Sequence, residues 1–267
     1  MDQELNKQFK RLNKKEEKII SKKQNKLLKS TIDPIINKVQ EAIPNKLKFT
    51  LESAFLKAFY LVFEKGDRYI ERTYKKDQIQ LEHDLYNYAI DKRLSKKYIK
   101  RLDKQADSAK MINTSLTVLE GGVLGLLGIG LPDIPLFIAV IMRTIYEVAL
   151  SYGYDYKSDE EKAYILYLIC GAMTQGEQQK TLNKELNILA SQIDQKMTTE
   201  IDLKVQMEET SKVLSEAMLV GKFLQGIPVV GVVGGAVNYS IIKKIGTYAS
   251  IKYKKRYLLK KAREKQE

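Results

Sequence analysis

Most of the chain carries its apolar residues three or four apart, the spacing of a helix with one buried face. Residues 46–64 hold Leu51, Phe55, Phe59 and Val62 in that register, and Gly66 is expected to close the helix. Residues 67–92 and 94–119 read as two more helices, with Tyr and Ile on one side and Lys on the other. The pattern continues over 158–175 and 178–220. Residues 3–30 are good helix formers too, but their apolar positions are sparse: Leu5, Phe9, Leu12, Ile19, Ile20, Leu27 and Leu28. So narrow a stripe predicts an extension to a core domain. Asp33 and Pro34 open a short helix that Pro44 ends. Period-two alternation never holds for long and no Asn-Gly or Asp-Gly turn occurs, so the predicted fold is all-α. The expected architecture is a single helical domain of about eight to ten helices over 45–255. A Lys-rich helical extension, 1–44, precedes it, and a basic C-terminal tail, 256–267, follows.

Two stretches break the amphipathic pattern. Gly121–Met142 has a single charge, Asp133, and Phe223–Ile242 has none. Both approach the roughly 20 residues a helix needs to cross a bilayer. They also hold nine of the 15 glycines and three of the five prolines, which argues against a simple crossing. In the first, Gly121, Gly122 and Gly125 lie in an apolar arm that meets Pro132, Asp133 and Pro135. Asp133 is placed to cap a new helix, which runs to Tyr152 and stops at Gly153. In the second, Pro228 is followed by Gly231, Gly234 and Gly235. Gly121 and Gly125, like Gly231 and Gly235, are spaced so that two helix backbones can approach closely. The two segments are therefore expected to form Gly/Pro-broken helical hairpins that pack together, with Gly231 and Gly235 at the contact. Whether the hairpins enter lipid or form a soluble core stays open.

Charge changes this picture at the ends. The chain carries 46 Lys+Arg against 33 Asp+Glu, a formal +13. The excess lies at the two ends and over 65–110, whereas 111–238 is mildly acidic. Ten basic residues follow the second apolar stretch, among them Lys243, Lys244, Lys254, Lys255, Arg256, Lys260 and Lys261. Basic residues just beyond an apolar stretch suit an anionic membrane surface on the cytosolic side. Lys strongly outnumbers Arg, and no nucleic-acid-binding motif is present, so nucleic acid is not the expected partner. The first twenty residues are charged throughout, so no cleavable signal peptide is expected. The expected location is the cytoplasmic face of the cell membrane, with the cytoplasm as the alternative.

Residues with catalytic chemistry are few. One cysteine and one histidine exclude a Cys-rich or His-clustered metal site. His83, between Glu82 and Asp84, reads as a surface histidine, and Cys170 as a small buried hydrophobe. Asp159, Glu160 and Glu161 follow Ser158 and read as the capped, acidic first turn of a helix. Arg143 and Glu147, i and i+4 in an otherwise apolar helix, are placed to pair. No enzymatic activity and no cofactor are expected.

At these residues the chain resembles a known family. The motif blocks are Gly121-Gly122, Gly130 to Pro135, and Arg143 to Tyr154, which includes Glu147, Tyr152 and Gly153; the last is Ile227 to Tyr239, which includes Asn238. They are similar to the EcsC protein family in order and separation, over roughly 45–255. The Pro-Asp-Pro and Tyr-Gly blocks are also similar to a helical domain attached to some bacterial membrane GTPases, but the Gly-x-x-x-x-Gly-Lys-Ser/Thr loop is missing. The resemblance implies a bacterial helical protein that assists a membrane system, because the family is named from a gene beside an ABC exporter linked to secretion and proteolysis. A membrane transporter or secretion component is the implied partner. The resemblance supplies no catalytic residues, and marks Arg143, Glu147, Tyr152, Asn238 and Tyr239 as candidate polar contacts. The leading reading is a membrane-associated, non-enzymatic accessory protein. The alternative is a soluble helical interaction module or homo-oligomer with no membrane contact.

Overall fold

The computed structural model describes residues 3–20, 41, 43–109, 133–224 and 235–266, and among these every regular element is helical. In chain order they are α1 (Gln3–Ile20), α2 (Asn45–Leu61), a π turn (Val62–Gly66), α3 (Asp67–Glu71), α4 (Lys76–Lys92), α5 (Lys96–Ser108), α6 (Asp133–Ser151), α7 (Asp159–Met173), α8 (Gly176–Asp194), α9 (Leu203–Leu224) and α10 (Gly235–Glu264). The all-α expectation is met.

The centre is α6, which touches α2, α3, α4, α5 and α10. Its Ile138, Ala139, Ile141, Met142, Ile145 and Val148 are fully buried, because a helix apolar on every side needs neighbours on every side. By length and composition Ile134–Ser151 could cross a membrane, with mean hydropathy 1.7, yet 83% of it is buried inside this protein. It is the core helix of the fold. Helix α7 packs on α8, α9 and α10, and α9 lies between α7 and α2. The predicted face of α2 is seen: Leu51, Phe55 and Phe59 are buried, and Phe55 meets Phe137 of α6 edge-on.

The local signals explain several boundaries. Ser158 caps α7 by accepting from the Glu161 N–H, ahead of an acidic first turn. Helix α6 ends in a Schellman motif: Gly153 N–H reaches Leu150 O, Tyr154 N–H reaches Ala149 O, and Gly153 is left-handed at φ +78°.

Other boundaries correct the sequence reading. Gly66 does not stop a helix; it ends the π turn and the chain continues into α3. The stretch 67–92 breaks at 72–75, and 178–220 splits into α8 and α9. Lys196 takes the left-handed position after α8, at φ 54°, and Asp202 accepts from the Lys204 and Val205 N–H groups to start α9.

The ends are part of the core. Helix α1 seats Leu5 and Leu12 against α10, and α10 runs unbroken past residue 256. Residues 3–20 and 256–264 therefore share the core of the central region, where an extension and a tail were expected. The expectations concerning Gly121, Gly122, Gly125, Pro132, Pro228, Gly231 and Gly234, and hence the packed hairpins, lie outside the described residues, as does the Asp133 side chain. Pro135 is buried near the start of α6, and Gly235 opens α10. One close approach is visible beside the second stretch: a Cβ on Gly221 of α9 would come within 2.8 Å of Val237 of α10.

Candidate functional site

The Schellman turn after α6 throws three tyrosines in different directions. Tyr152 donates to Asp103 Oδ1 of α5 at 2.9 Å, and Lys254 of α10 binds the other oxygen at 2.7 Å. Tyr156 folds back so that its ring stacks on Tyr146 of α6, with centroids 3.7 Å apart. Its hydroxyl donates to Glu71 at 2.6 Å and contacts the Tyr74 hydroxyl at 2.7 Å, while Tyr146 donates to Asp67 at 2.8 Å. Burial pushes the Asp67 carboxyl up. Burial acts the same way on Glu71, but hydrogen bonds from Lys76 and Tyr156 outweigh it and hold that carboxyl below its usual range. A cleft of about 560 Å³ lies over this cluster and the π turn, between Asp67, Arg68, Tyr69, Glu71, Arg72 and Lys157. Tyr154 points a third way, under the Arg256 guanidinium at 4.2 Å from the ring centre.

Arg256 is the second centre. It is 2% exposed. Its guanidinium donates to both oxygens of Glu161, at 2.5 and 3.0 Å, and to Asp194 at 2.7 Å. Tyr164 stacks on it at 4.5 Å, and the Tyr253 hydroxyl also reaches Glu161. One turn earlier Lys252 donates to Glu16 of α1 at 2.6 Å, and to Asn183 and Asn187 of α8. Burial pulls Lys252 down to about 8, against the pull of Glu16.

The predicted basic tail is therefore divided. Lys254, Lys255, Arg256 and Lys261 are held in ion pairs with Asp103, Glu16, Glu161 with Asp194, and Asp91 with Glu264. They fasten α10 to the helices around it and do not form a free basic surface. Lys243, Lys244 and Lys260 are exposed. Arg143 donates to Glu147 at 2.7 Å, the expected i,i+4 pair, and burial pushes the Glu147 carboxyl up despite it. Tyr239 is 50% exposed, with Lys243 over its ring at 5.7 Å. The Asn238 side-chain oxygen is buried without a hydrogen-bond partner among the described residues.

His83 is a correction. It is 9% exposed, and its Nδ1–H donates to Ser151 O at 3.1 Å. Burial pulls it below its ordinary value of 6.5, against that hydrogen bond and the charge of Asp84. A folded histidine that is harder to protonate than the unfolded one loses stability as pH falls below 6.5, because the unfolded chain then binds the extra proton. Stability of the native chain is therefore expected to fall more steeply from about pH 7 to about pH 5 than that of His83→Gln, read as urea midpoints. Equal slopes would show that the imidazole titrates alike in both states. Cys170 is buried beside Thr210, at 3.3 Å, and burial pushes its thiol up to about 11. That is the structural thiol expected.

The partners Glu16, Asp67, Asp103, Asn183 and Asp194 escaped the sequence reading. Each is one polar residue among many in its segment and gains its role only from the helix across from it. The Tyr152-Gly153-Tyr154 block was the readable part. Taken together, these networks join α1, α3, α4, α5, α6, α7, α8 and α10 by charge and hydrogen bonds around one aromatic turn.

Comparison with known proteins agrees with the motif blocks. The model of the EcsC protein family matches residues 6–258. That is further toward the N-terminus than the motif blocks reach, and it takes in most of α1. Protein EcsC of Bacillus subtilis (strain 168) is 27% identical over 178 residues, 66% of each chain. The uncharacterized protein YdbA of the same organism is 25% identical over 169 residues, 61% of this chain and 60% of its own. The matches thus span about two thirds or less of these relatives. No solved structure matches. With the family model covering nearly the whole length, the chain belongs to the EcsC protein family.

Proposed function

We propose that the chain is a non-enzymatic accessory protein that attaches peripherally to the cytoplasmic face of a membrane, where its partner is a transporter or secretion component. The observation that carries this reading is the chargeless stretch Phe223–Ile242, in a chain 30% charged. Where that stretch enters α10, its outer face shows Tyr239 and then Lys243. An aromatic ring followed by lysine at the edge of an apolar segment is the pattern of a membrane interface. The family context, drawn from the sequence resemblance, supplies the transporter or secretion partner.

Burial of α6 favours a second reading, a soluble interaction module or homo-oligomer, since the apolar stretch that starts at Gly121 ends in a core helix. Flotation of the purified protein with anionic and neutral vesicles, at low and high salt, separates the two. Co-flotation that survives high salt is expected from apolar attachment. Release by salt alone would reduce the contact to charge attraction, and no flotation in any condition would favour the soluble module.

A further inference from the structure

Helices α4 and α5 form an antiparallel pair lying side by side on α6. Their seam is marked by Gln105, which donates to Ile79 O and Glu82 Oε2, both at 3.1 Å. Each helix turns one face to the core: His83 and Ile90 of α4, and Ile99, Leu102 and Ala106 of α5. With both seated on the same central helix, their opposite faces point to the same side of the molecule.

That outer side is unusual. On α4 it carries Leu81, Leu85 and Tyr88, spaced i, i+4, i+7 and 69%, 61% and 63% exposed. Large apolar side chains in one exposed helical row are not what a solvated face requires. On α5 it carries Lys97, Lys100, Arg101 and Lys104, all exposed. None of these four is in an ion pair with a described residue, whereas Asp103, facing inward on the same helix, is held by Lys254. Helix periodicity puts Asp77, Asp84 and Asp91 of α4 on the edge away from α5, and Asp91 is neutralised by Lys261 at 2.6 Å. The apolar row is thus bordered by α5's cations. At its C-terminal end Lys92 sits over the Tyr88 ring at 5.3 Å.

An apolar row beside a lysine-rich row is the composition of a helix pair that lies in the headgroup region of an anionic bilayer. Nucleic acid would use the cations but leave the leucines exposed. Lys254, Lys255, Arg256 and Lys261 of α10, held in internal ion pairs, are not available for this contact. Resting on the membrane reading above, we propose that the outer face of the α4–α5 pair is a second surface, in addition to the apolar stretch that ends at Tyr239 and Lys243, with which this protein docks on anionic phospholipid.

The test uses the full chain and vesicles of phosphatidylcholine with and without phosphatidylglycerol. Two variants remove the two halves of the face: Lys97→Glu with Lys100→Glu and Lys104→Glu, and Leu81→Ser with Leu85→Ser. A control triple, Lys184→Glu, Lys204→Glu and Lys212→Glu, makes the same change in net charge at exposed positions elsewhere. All substituted side chains are exposed, and circular dichroism checks that each variant folds. The α5 triple is expected to weaken binding to anionic vesicles about a hundredfold, with the control within about threefold of the native chain. The leucine double is expected to lose the part of binding that resists high salt. Equal losses in both triples would overturn the proposal, since net charge alone would then explain binding. Native affinity in the α5 triple would overturn it while leaving the membrane reading in place. No vesicle binding by the native chain would remove both, and tighter binding to single-stranded DNA than to vesicles at the same salt would assign the cations to nucleic acid.

Discussion

Arg256→Met is expected to destabilise the protein by about 3–5 kcal/mol, because it leaves Glu161 buried with no counter-ion and Asp194 with only Arg263, at 3.8 Å. Glu161 and Asp194 are 2.5 and 2.7 Å from one guanidinium nitrogen. Burial already pushes the Glu161 carboxyl up, even with Arg256 in place. Methionine keeps most of the aliphatic stem but loses the guanidinium that stacks on Tyr154 and Tyr164, so the variant removes the charge and those ring contacts together. Arg256→Lys is expected to fail as well, because an ammonium cannot serve both oxygens of Glu161 and reach Asp194 in the geometry of the planar fork. The diagnostic variant is the triple Arg256→Met, Glu161→Gln and Asp194→Asn, which removes all three charges. It should recover much of the loss in urea unfolding, since a buried ion cluster replaced as a whole is often near neutral in stability. If Arg256→Met unfolds within about 1 kcal/mol of the native chain, the cluster is hydrated and not a core element.

That core role bears on how the C-terminal half of α10 is understood. By composition residues 239–267 are a basic tail, with ten Lys+Arg against two Glu. Composition does not say which way a lysine points. In α10 the buried row is Ile241, Ile245, Tyr248, Ala249, Lys252, Tyr253, Arg256 and Tyr257, a plain i, i+3, i+4 stripe. Its two cations stand where a core helix would carry leucine. Their counter-charges come from α1, α7 and α8, far away in sequence, so no local pattern could pair them.

The parts of the fold that were legible had a local cause. The buried length of α6 follows from an all-round apolar run, and the start of α7 follows from Ser158 and three acidic residues. The breaks that were not legible, at 72–75 and 195–202, lack both the Gly and the Pro that usually mark them. Lys196 takes a left-handed conformation that only its surroundings justify. His83 had the same difficulty: between two acidic residues in a polar helix it looks like surface, yet it faces the end of α6.

Gly153→Ala should destabilise the fold by about 2–3 kcal/mol, from two separable sources. The residue sits at φ +78°, where an L side chain costs about 1–2 kcal/mol. A Cβ there would also run into the His83 ring, 2.6 Å from Cε1, so the imidazole has to leave its place against Ser151 O. The lost hydrogen bond adds about 1 kcal/mol. Gly153→Asn carries the same collision with a smaller backbone penalty, because Asn tolerates the left-handed region. Comparing the two by urea unfolding therefore weighs backbone strain against collision. His83→Ala provides the second axis: combined with Gly153→Ala it should lose less than the sum of the single losses, since the ring that Cβ would strike is gone. Strict additivity would mean that the collision is absorbed elsewhere and only the backbone matters. The turn also aims three tyrosines at Asp103, at Arg256 and at Glu71. A shift of the helix stop by one residue would turn each away from its partner, so α3, α5 and α10 should loosen together in amide exchange.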